Sequence, residues 1–501
     1  MTKRFSHLFN KTLGLWREGD NLSTRVARSS AISLLGRLVI KLTQFAKTII
    51  LARLLFPADF GLFSIAAVAI TITDTFLQTG FYQALIQEKD DPRRFFNTAW
   101  TIGIIRGATS AVVTFLAAPF IASFFNVPEA VPLIRVLALA MFIIGFENVA
   151  IINFQREFNF SKKFALDFSI VIAEIGTVIF LASLGFGVWS LVLGSVMNRI
   201  VSVILSFWFI PYRLHLEFNP AVVKSLFKYG KWITAGAVVS FLLGQGDYLT
   251  IAKLLGTESL GFYQLAFTLA TLPAVEVVRV IGNILFPLYS KLSHNVISLR
   301  QTFIKATRVL LILPVPAAIG LILLRTQIVG VVYGNKWLPM APILAVLAVY
   351  GLFKSFDAAV QPFFLGSGRP KHATAIMVWQ GVFMFAGILP LTYHFGAVGT
   401  ALAVLIGMMA AVIVELWFLR QQINLGFQGL LAIWIGPLLS STIMALVVYI
   451  SHQFWPEVQA IWLSINISIG ILSYFVTLVL YDKYLGRKEI VDTISWFKKS
   501  V

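Results

Sequence analysis

RLVIKLTQFAKTIILARLLFPADFG, residues 37–61, is the stretch that decides the fold of this chain. It begins as an apolar segment that carries three cations, Arg37, Lys41 and Lys47, and it ends in a short turn with the sequence FPAD. About 20 apolar residues in a helix cross the ~30 Å of hydrocarbon in a bilayer, so the first part predicts a membrane-spanning helix. A cation is costly in hydrocarbon, so one side of this helix is expected to face a bundle interior or water. The turn predicts a hinge before the second span.

The end of this stretch is repeated 200 residues further along the chain. LARLL (51–55) is matched by IAKLL (251–255), and GLF (61–63) is matched by GFY (261–263). The three upstream cations are not repeated, because the equivalent positions hold Ala237, Phe241 and Asp247. The chain is therefore predicted to be duplicated in architecture but not in charge, with one lobe binding an anion and the other coupling to an ion.

The composition is typical of a polytopic α-helical membrane protein. Of the 501 residues, 58% are hydrophobic and 12% are charged, which is too apolar for a soluble domain of this length. The lack of cysteine excludes disulfides, cysteine zinc sites and thiol nucleophiles. The six histidines have no metal-ligand spacing, so we expect no metal site and no cofactor. The net charge of +18 is typical of cytoplasmic loops in such a chain, and we expect no nucleic-acid partner.

Apolar segments follow one another along the whole chain and predict an all-α integral membrane protein with about fourteen transmembrane helices. Twelve spans are the alternative if the last two segments are misread, although fourteen account better for the length. The predicted spans are residues 30–52, 60–86, 97–118, 130–152, 164–184, 187–210, 232–255, 260–288, 306–332, 341–365, 373–394, 397–419, 430–450 and 458–481.

Lysine and arginine are unevenly distributed between the loops. Of the 40 Lys and Arg residues, 28 are assigned to the N-terminal segment, the loops after even-numbered spans or the C-terminal tail. The loops after odd-numbered spans hold only Arg53, Lys253 and Lys336. Since positive charge marks the cytoplasmic side, both termini are predicted to be cytoplasmic.

The repeat and the spans together predict two pseudo-symmetric six-helix lobes and a C-terminal helix pair. Parallel repeats of this kind are typical of alternating access, with a cargo site between the lobes. The predicted units are a basic cytoplasmic N-terminal segment (1–28), an N-lobe of spans 1–6 (29–210), a cytoplasmic linker (211–231), a C-lobe of spans 7–12 (232–420), spans 13–14 (421–481) and a cytoplasmic tail (482–501).

Cations inside the predicted spans are the candidate cargo ligands. Arg37, Lys41, Gln44 and Thr48 recur at helical spacing and form one polar stripe on span 1, with Lys47 beside it. Two like charges one turn apart are not a natural structural pair, and Arg and Lys suit phosphate or carboxylate groups. The predicted substrate-binding residues are Arg37, Lys41, Lys47, Arg106, Arg199, Arg279 and Lys354.

Acids inside the spans are candidates for coupling to H⁺ or Na⁺, since a buried carboxylate holds a proton tightly. The candidates are Asp74, Glu174, Asp247 and Asp357. The alternative role is that of a fixed counter-ion, and helical spacing leaves it open for Glu276 with Arg279 and for Lys354 with Asp357. The remaining intramembrane charges are expected to reach an interface or cap a loop; they are Arg135, Arg325, Glu147, Asp167 and Glu415.

Several stretches, in this order, resemble the Wzx-type polysaccharide and O-antigen flippases of the multidrug/oligosaccharidyl-lipid/polysaccharide exporter superfamily. The resemblance runs along essentially the whole chain and is closest to the colanic-acid and teichuronic-acid exporters. The stretches are LARLLFPADFGLFSIA (51–66), DTFLQTGFYQALIQ (74–87), NTAWTIGIIRG (97–107), ILFPLYSKL (284–292) and VYGNKWLPMAPIL (332–344).

The resemblance implies a transporter of the bacterial inner membrane. Its cargo would be an undecaprenyl-diphosphate-linked oligosaccharide for exopolysaccharide, lipopolysaccharide O-antigen or capsule, moved from the cytoplasmic to the periplasmic leaflet. The family also implies a two-lobed bundle with a cationic cavity, ion-driven alternating access, and a polysaccharide polymerase and chain-length regulator as partners. The near-balance of intramembrane cations and acids departs from a strongly cationic cavity.

Two other functions remain open from sequence. A multidrug or toxin antiporter of the same superfamily would have twelve spans and an acidic second lobe, against which the cations of span 1 argue. A membrane-embedded polymerase would carry a large periplasmic loop, whereas the largest loop after an odd-numbered span has about a dozen residues. GSGRPK (366–371) lacks the spacing of a nucleotide-binding loop, so we expect a transporter and not an enzyme.

Overall fold

The computed structural model describes residues 22–77, 93–156, 159–210, 212, 214–454 and 459–484. Some helical side chains lie outside this description, including those of residues 22–34, 221–236 and 274–284. The described part is built from helices and contains no β-strand, which confirms the predicted all-α class.

Long helices account for most of the described chain. In order they are α1 (Leu22–Leu54), α2 (Pro57–Phe76), α3 (Arg93–Phe125), α4 (Ala130–Ile144), α5 (Phe160–Ser183), α6 (Val188–Phe209), α7 (Pro220–Leu254), α8 (Gly256–Leu292), α9 (Val296–Leu311), α10 (Pro314–Leu323), α11 (Ala341–Gly366), α12 (Pro370–Ile423), α13 (Phe427–Phe454) and α14 (Ala460–Tyr484).

Nine helical segments among the described residues are long and apolar enough to cross a membrane. The chain is thus an integral membrane protein with several spans. Every predicted span overlaps a described helix, whereas the number fourteen stays a prediction.

Helix α12 contains two predicted spans because the chain turns back at Gly396. This residue has φ 59° and ψ −142°, a left-handed conformation that glycine adopts without steric cost. The hydroxyls of Thr392 and Thr400 lie 2.8 Å apart, although eight residues of straight helix would separate them by about 12 Å. The predicted spans 373–394 and 397–419 are the two arms of this hairpin.

Several helix limits differ from the predicted spans. The ninth predicted span is divided between α9 and α10, since Pro314 lacks the N–H that a continuous helix requires. The fourth ends at Ile144 and is followed by a 3₁₀ turn, Val149–Ile152. Helix α7 begins at Pro220, within the predicted linker, and the limits of the domains stay a prediction.

The helices pack as two lobes and a pair. In the first lobe (α1–α6), α1 packs on α5, α5 on α6, and α6 on α4, which also contacts α2 and α3. In the second lobe (α7–α12), α8 packs on α11, α11 on α12, and α12 on α7. The lobes meet mainly where α2 packs against α7 and α8, while α13 and α14 pack on each other.

The lobes close on one another at one end of the bundle. There, Trp337 Nε1 donates to Ala52 O at 2.8 Å, and Lys336 Nζ donates to Arg53 O at 3.0 Å and to Leu55 O at 2.6 Å. The last carbonyls of a helix have no partner within it, so these side chains complete the end of α1. We call this the odd-loop end, because it carries the connections after odd-numbered spans at residues 55–56, 184–187, 255 and 334.

Two glycines at repeat-equivalent positions let α2 and α8 cross closely at this end. A Cβ atom on Gly61 would lie 1.7 Å from Thr257 O, and one on Gly261 would lie 1.9 Å from Pro57 O. Small residues allow membrane helices to approach to backbone contact. The contact is reciprocal, which agrees with the two pseudo-symmetric lobes predicted from the repeat.

Candidate functional site

A cavity of about 410 Å³ lies in the first lobe between α1, α5 and α6. Three of the predicted cargo ligands line it, Arg37 and Lys41 from α1 and Arg199 from α6. Their convergence was not deducible from sequence, because Arg199 is far from α1 along the chain. Three cations around one space favour an anion over a cation there in electrostatic terms.

Helical spacing explains why each wall presents its polar groups to the same space. Positions four apart lie on one helical face, which applies to Arg37 with Lys41 on α1. The walls from α5 and α6 follow the same rule, with Asp167, Ile170 and Val171 on α5 and Asn198, Arg199 and Ser202 on α6.

The acid in the cavity wall is Asp167, which already has a cationic partner. Lys163 Nζ lies 2.6 Å from Asp167 Oδ1, one turn away on α5. This pair adds no net charge, and the described lining of the cavity holds three cations beside this one acid. Asp167 was expected from sequence to reach an interface or cap a loop, whereas it lines the cavity. Ile170 and Val171, three and four residues later on the same helical face, line the cavity with it.

Lys47 lies next to the cavity and forms an ion pair. Its Nζ is 2.6 Å from Glu174 Oε1, and Asn198 Nδ2 donates to Glu174 Oε2 at 2.7 Å. Since Asn198 lines the cavity, Glu174 connects the Lys47 ammonium to the cavity wall. A cargo candidate and an ion-coupling candidate thus meet each other.

Arg106 and Asp74 form a second pair of this kind. Arg106 Nη2 on α3 lies 2.6 Å from Asp74 Oδ1 on α2, and the two side chains are 36% and 52% exposed. The pair is outside the cavity wall and open to its surroundings. Its geometry fits the counter-ion alternative, although an exposed ion pair contributes little to stability.

Lys354 and Asp357 form a third pair, deep in the second lobe. Lys354 Nζ lies 2.7 Å from Asp357 Oδ2, and Gln361 Nε2 donates to Asp357 Oδ1 at 3.2 Å. The predicted shared face of these residues on span 10 is therefore correct. Glu415 was expected near an interface or loop, but it is fully buried on α12. Its burial follows from its position on the side of α12 that packs against α11.

The last two candidates are Asp247, which lies apart from the cavity, and Arg279, whose side chain lies outside the described residues. Asp247 is buried, with its carboxylate accepting hydrogen bonds from the Tyr263 hydroxyl at 2.7 Å and the Tyr248 backbone N–H at 2.9 Å. Lys47 and Asp247 therefore have separate partners despite their equivalent positions in the repeat. The side chain of Arg279 lies outside the described residues, as does that of Glu276.

The cavity is suited to the charged portion of a cargo rather than to a whole polymer unit. Small-ligand sites enclose roughly 300–1,000 Å³, and this cavity lies at the low end of that range. Guanidinium groups bind phosphate oxygens in pairs, while ammonium and amide groups add further donors. Arg37, Lys41, Arg199 and Asn198 together supply such donors for a phosphate or diphosphate.

Comparison with known proteins identifies relatives that match most of the chain. The family model described as polysaccharide biosynthesis protein matches residues 50–342. The lipopolysaccharide biosynthesis protein WzxC of Escherichia coli (strain K12) is 27% identical over 78% of this chain and 80% of its own. The teichuronic acid biosynthesis protein TuaB of Bacillus subtilis (strain 168) is 27% identical over 80% and 84%, respectively. The succinoglycan biosynthesis transport protein ExoT of Rhizobium meliloti (strain 1021) is 24% identical over 89% and 91%.

Solved structures share the fold. The lipid II flippase MurJ, in an inward closed conformation, aligns with a TM-score of 0.71 and 18% identity over 89% of this chain and 99% of its own. An inward-facing multidrug resistance transporter of the MATE family aligns with a TM-score of 0.59 and 19% identity over 78% and 98%. At these identities the likeness establishes the fold alone, that of a bundle of membrane-spanning helices.

Proposed function

Since the chain belongs to the family of polysaccharide biosynthesis proteins, we propose that it is a flippase for a lipid-linked oligosaccharide. The cargo is an undecaprenyl-diphosphate-linked oligosaccharide used for exopolysaccharide, O-antigen or capsule. The protein moves the cargo across the bacterial inner membrane and catalyses no covalent chemistry. The relatives named for lipopolysaccharide, teichuronic acid and succinoglycan biosynthesis support this class of cargo.

The observation that carries the proposal is the cavity lined by Arg37, Lys41 and Arg199. In a lipid-linked sugar, a diphosphate joins the lipid to the sugar. Its negative charge makes it the group that is most costly to place in the hydrocarbon of a bilayer. Three cations held inside a membrane-spanning lobe offset that cost by charge-assisted hydrogen bonds. The diphosphate binds here, while lipid and sugar extend beyond the cavity.

Alternating access supplies the movement. The odd-loop end is periplasmic and both termini are cytoplasmic, in agreement with the distribution of Lys and Arg. The contacts of Lys336 and Trp337 with the end of α1 hold the lobes together on the periplasmic side, so cargo enters from the cytoplasmic leaflet. An H⁺ or Na⁺ gradient drives the exchange, and the polymerase and chain-length regulator act on the cargo after release.

The multidrug antiporter alternative rests on the shared fold of the MATE-family transporter. A pump for cationic drugs needs acids at its binding cavity, because like charges repel. Here the described cavity has more cations than acids, which favours an anionic cargo.

Replacement of the cavity cations tests the cargo site. Arg37→Ala/Lys41→Ala removes two charge-assisted contacts with phosphate, each worth roughly 1.5–3 kcal/mol, so polymer export is expected to fall by tenfold or more. The measurement is polymer at the cell surface, normalised to the amount of the variant in the membrane. Lys291→Ala/Lys371→Ala removes the same charge from exposed positions outside the cavity and is the matched control. Normal export by the Arg37/Lys41 variant contradicts the assignment of the cavity.

Deletion of the protein separates a flippase from a polymerase. Without a flippase, complete lipid-linked units accumulate on the cytoplasmic leaflet, where a periplasmic sugar-binding probe cannot reach them. Without a polymerase, single units reach the periplasmic leaflet and react with the probe. Accumulated units that are accessible from the periplasm would contradict the flippase assignment.

A further inference from the structure

Glu415 differs from the other described intramembrane acids because it has no hydrogen-bond donor. It lies on the second arm of the α12 hairpin and is 0% exposed. Neither Oε1 nor Oε2 accepts a hydrogen bond from any donor in the described part of the chain. An ionised carboxylate in such a place is costly, since nothing replaces its lost hydration.

The group that faces Glu415 is another carboxyl, that of Asp357 on α11. The two carboxyls lie within hydrogen-bonding distance of each other. Neither can donate to the other unless one of them carries a proton. The hydrogen bond between them therefore requires one proton.

The surrounding charge leads to the same proton count. Lys354, which pairs with Asp357, is the cation whose field reaches Glu415. One ammonium against two carboxylates leaves a net negative charge in a buried cluster, and one proton makes the cluster neutral. Two further helices with charged residues pack on α11. Helix α9 carries Arg308, which donates to Ala432 O at 3.2 Å. Helix α8 carries Glu276 and Arg279, whose side chains lie outside the described residues.

The other candidates for ion coupling differ from this pair. Each of them has a cation of its own or hydrogen-bond donors to its carboxylate. Asp74 is matched by Arg106, and Glu174 by Lys47 with a further donor from Asn198. Asp247, which is buried, accepts hydrogen bonds from the Tyr263 hydroxyl and the Tyr248 backbone N–H, so its oxygens do not lack donors. Among the described acids, only the pair of Asp357 and Glu415 combines burial, a second carboxyl and an oxygen without a donor.

We propose that Asp357 and Glu415 share one exchangeable proton and form the proton-binding site of the second lobe. The proton comes from water and returns to water, and no bond other than O–H forms or breaks. Its loss leaves two carboxylates in contact, and their repulsion favours separation of α11 from the second arm of α12. This assignment rests on the proposed function for its role in transport, where it places the coupling ion in the second lobe, apart from the cargo cations of the first.

Infrared spectroscopy of the purified protein tests the shared proton without cargo. A protonated carboxylic acid has a C=O stretching band that shifts in D₂O and that an ionised carboxylate lacks. The wild-type minus Glu415→Gln difference spectrum at neutral pH is expected to contain this band, equal to one carboxyl per chain. Glu129→Gln, which changes an exposed acid, is the control and should leave the band intact. Absence of the band from the Glu415→Gln difference, with folded protein, overturns the proposal.

Asp357→Asn provides a second reading if Glu415→Gln fails to fold. Its amide would donate to Glu415, and Lys354 would be left with Glu415 as its acidic partner, so Glu415 ionises and the same band is lost. Persistence of the full band in Asp357→Asn also overturns the shared proton.

Arg37→Ala/Lys41→Ala should keep the band even though it loses export. The two proposals can fail separately. If deletion of the protein leaves export intact while the purified protein shows the expected band, the flippase proposal is refuted and the proton site stands.

The role in transport has its own measurement in vesicles. An imposed pH gradient is expected to accelerate cargo movement by wild-type protein and to have no effect on Glu415→Gln, whereas a Na⁺ gradient should affect neither. Acceleration of the Glu415→Gln variant by the pH gradient, or of wild type by Na⁺ alone, would contradict coupling at this pair.

Discussion

At the scale of single residues, six of the intramembrane cations have one of two kinds of surroundings. Arg37, Lys41 and Arg199 line one cavity. Lys47, Arg106 and Lys354 each lie within 2.7 Å of an acid. Lys47 is the informative case, since it is predicted to bind cargo and its ammonium lies 2.6 Å from Glu174 Oε1. Their side chains are 19% and 16% exposed, so the pair lies between a surface salt bridge and a fully buried one.

We predict that Lys47 supports the cavity wall through Glu174. Lys47→Met leaves Glu174 without its cation and is expected to destabilise the protein by on the order of 2 kcal/mol. Lys47→Met/Glu174→Gln removes both charges, keeps an amide for Asn198, and should recover most of the stability and export. The measurement is the thermal stability of the detergent-solubilised protein, together with export in cells. If the double variant exports no better than Lys47→Met, Lys47 contacts the cargo directly.

At the scale of helices, the regular features were predictable and the pairings were not. The i, i+4 spacing placed Arg37 and Lys41 on one face, and Gly396 separated two spans, because both effects are local to a helix. The partner of each charge depends on which helices become neighbours. Glu415 shows the difference, since it was expected from sequence to reach an interface or cap a loop, whereas it is buried on α12 with Asp357 of α11 opposite.

The crossing of α2 and α8 leads to a prediction for its two glycines. Gly61→Ala places a methyl group 1.7 Å from Thr257 O, a backbone atom that cannot rotate away, and Gly261→Ala does the same at 1.9 Å from Pro57 O. Each substitution is expected to push the helices apart and prevent closure of the odd-loop end. Export should fall at least about tenfold, because one state of the cycle is lost.

The matched control is Gly320→Ala, a helical glycine whose added methyl group meets nothing within 4 Å. Alanine is the better helix former by about 1 kcal/mol, so this variant should export normally. All three proteins are compared at equal amounts in the membrane. Normal export by Gly61→Ala would mean that the crossing loosens during the cycle without cost, and that close contact is not required.

At the scale of the whole molecule, the repeat that first appears as LARLLFPADFG becomes the contact between the lobes. Residues 200 apart in sequence meet across it, as Ser64 Oγ and Gln264 Oε1 do at a separation of 2.5 Å. A pseudo-two-fold arrangement explains this, since equivalent positions of two parallel repeats lie on either side of one axis. The cavity of the first lobe and the carboxyl pair of the second lobe lie on opposite sides of this contact. Movement of one lobe against the other is therefore the simplest link between them.

Cross-linking of the lobes tests whether transport requires that movement. The chain has no cysteine, so a disulfide in Ser64→Cys/Gln264→Cys joins these two positions and no others within the chain. Oxidation of the double variant is expected to stop export, since a covalent link keeps the odd-loop end closed, and reduction should restore it. Each single-cysteine variant, treated with the same oxidant, controls for the substitutions and the reagent. If the cross-linked protein exports as fast as the reduced one, cargo passes without separation of α2 from α8, and opening of the lobes at this contact is excluded as a step of transport.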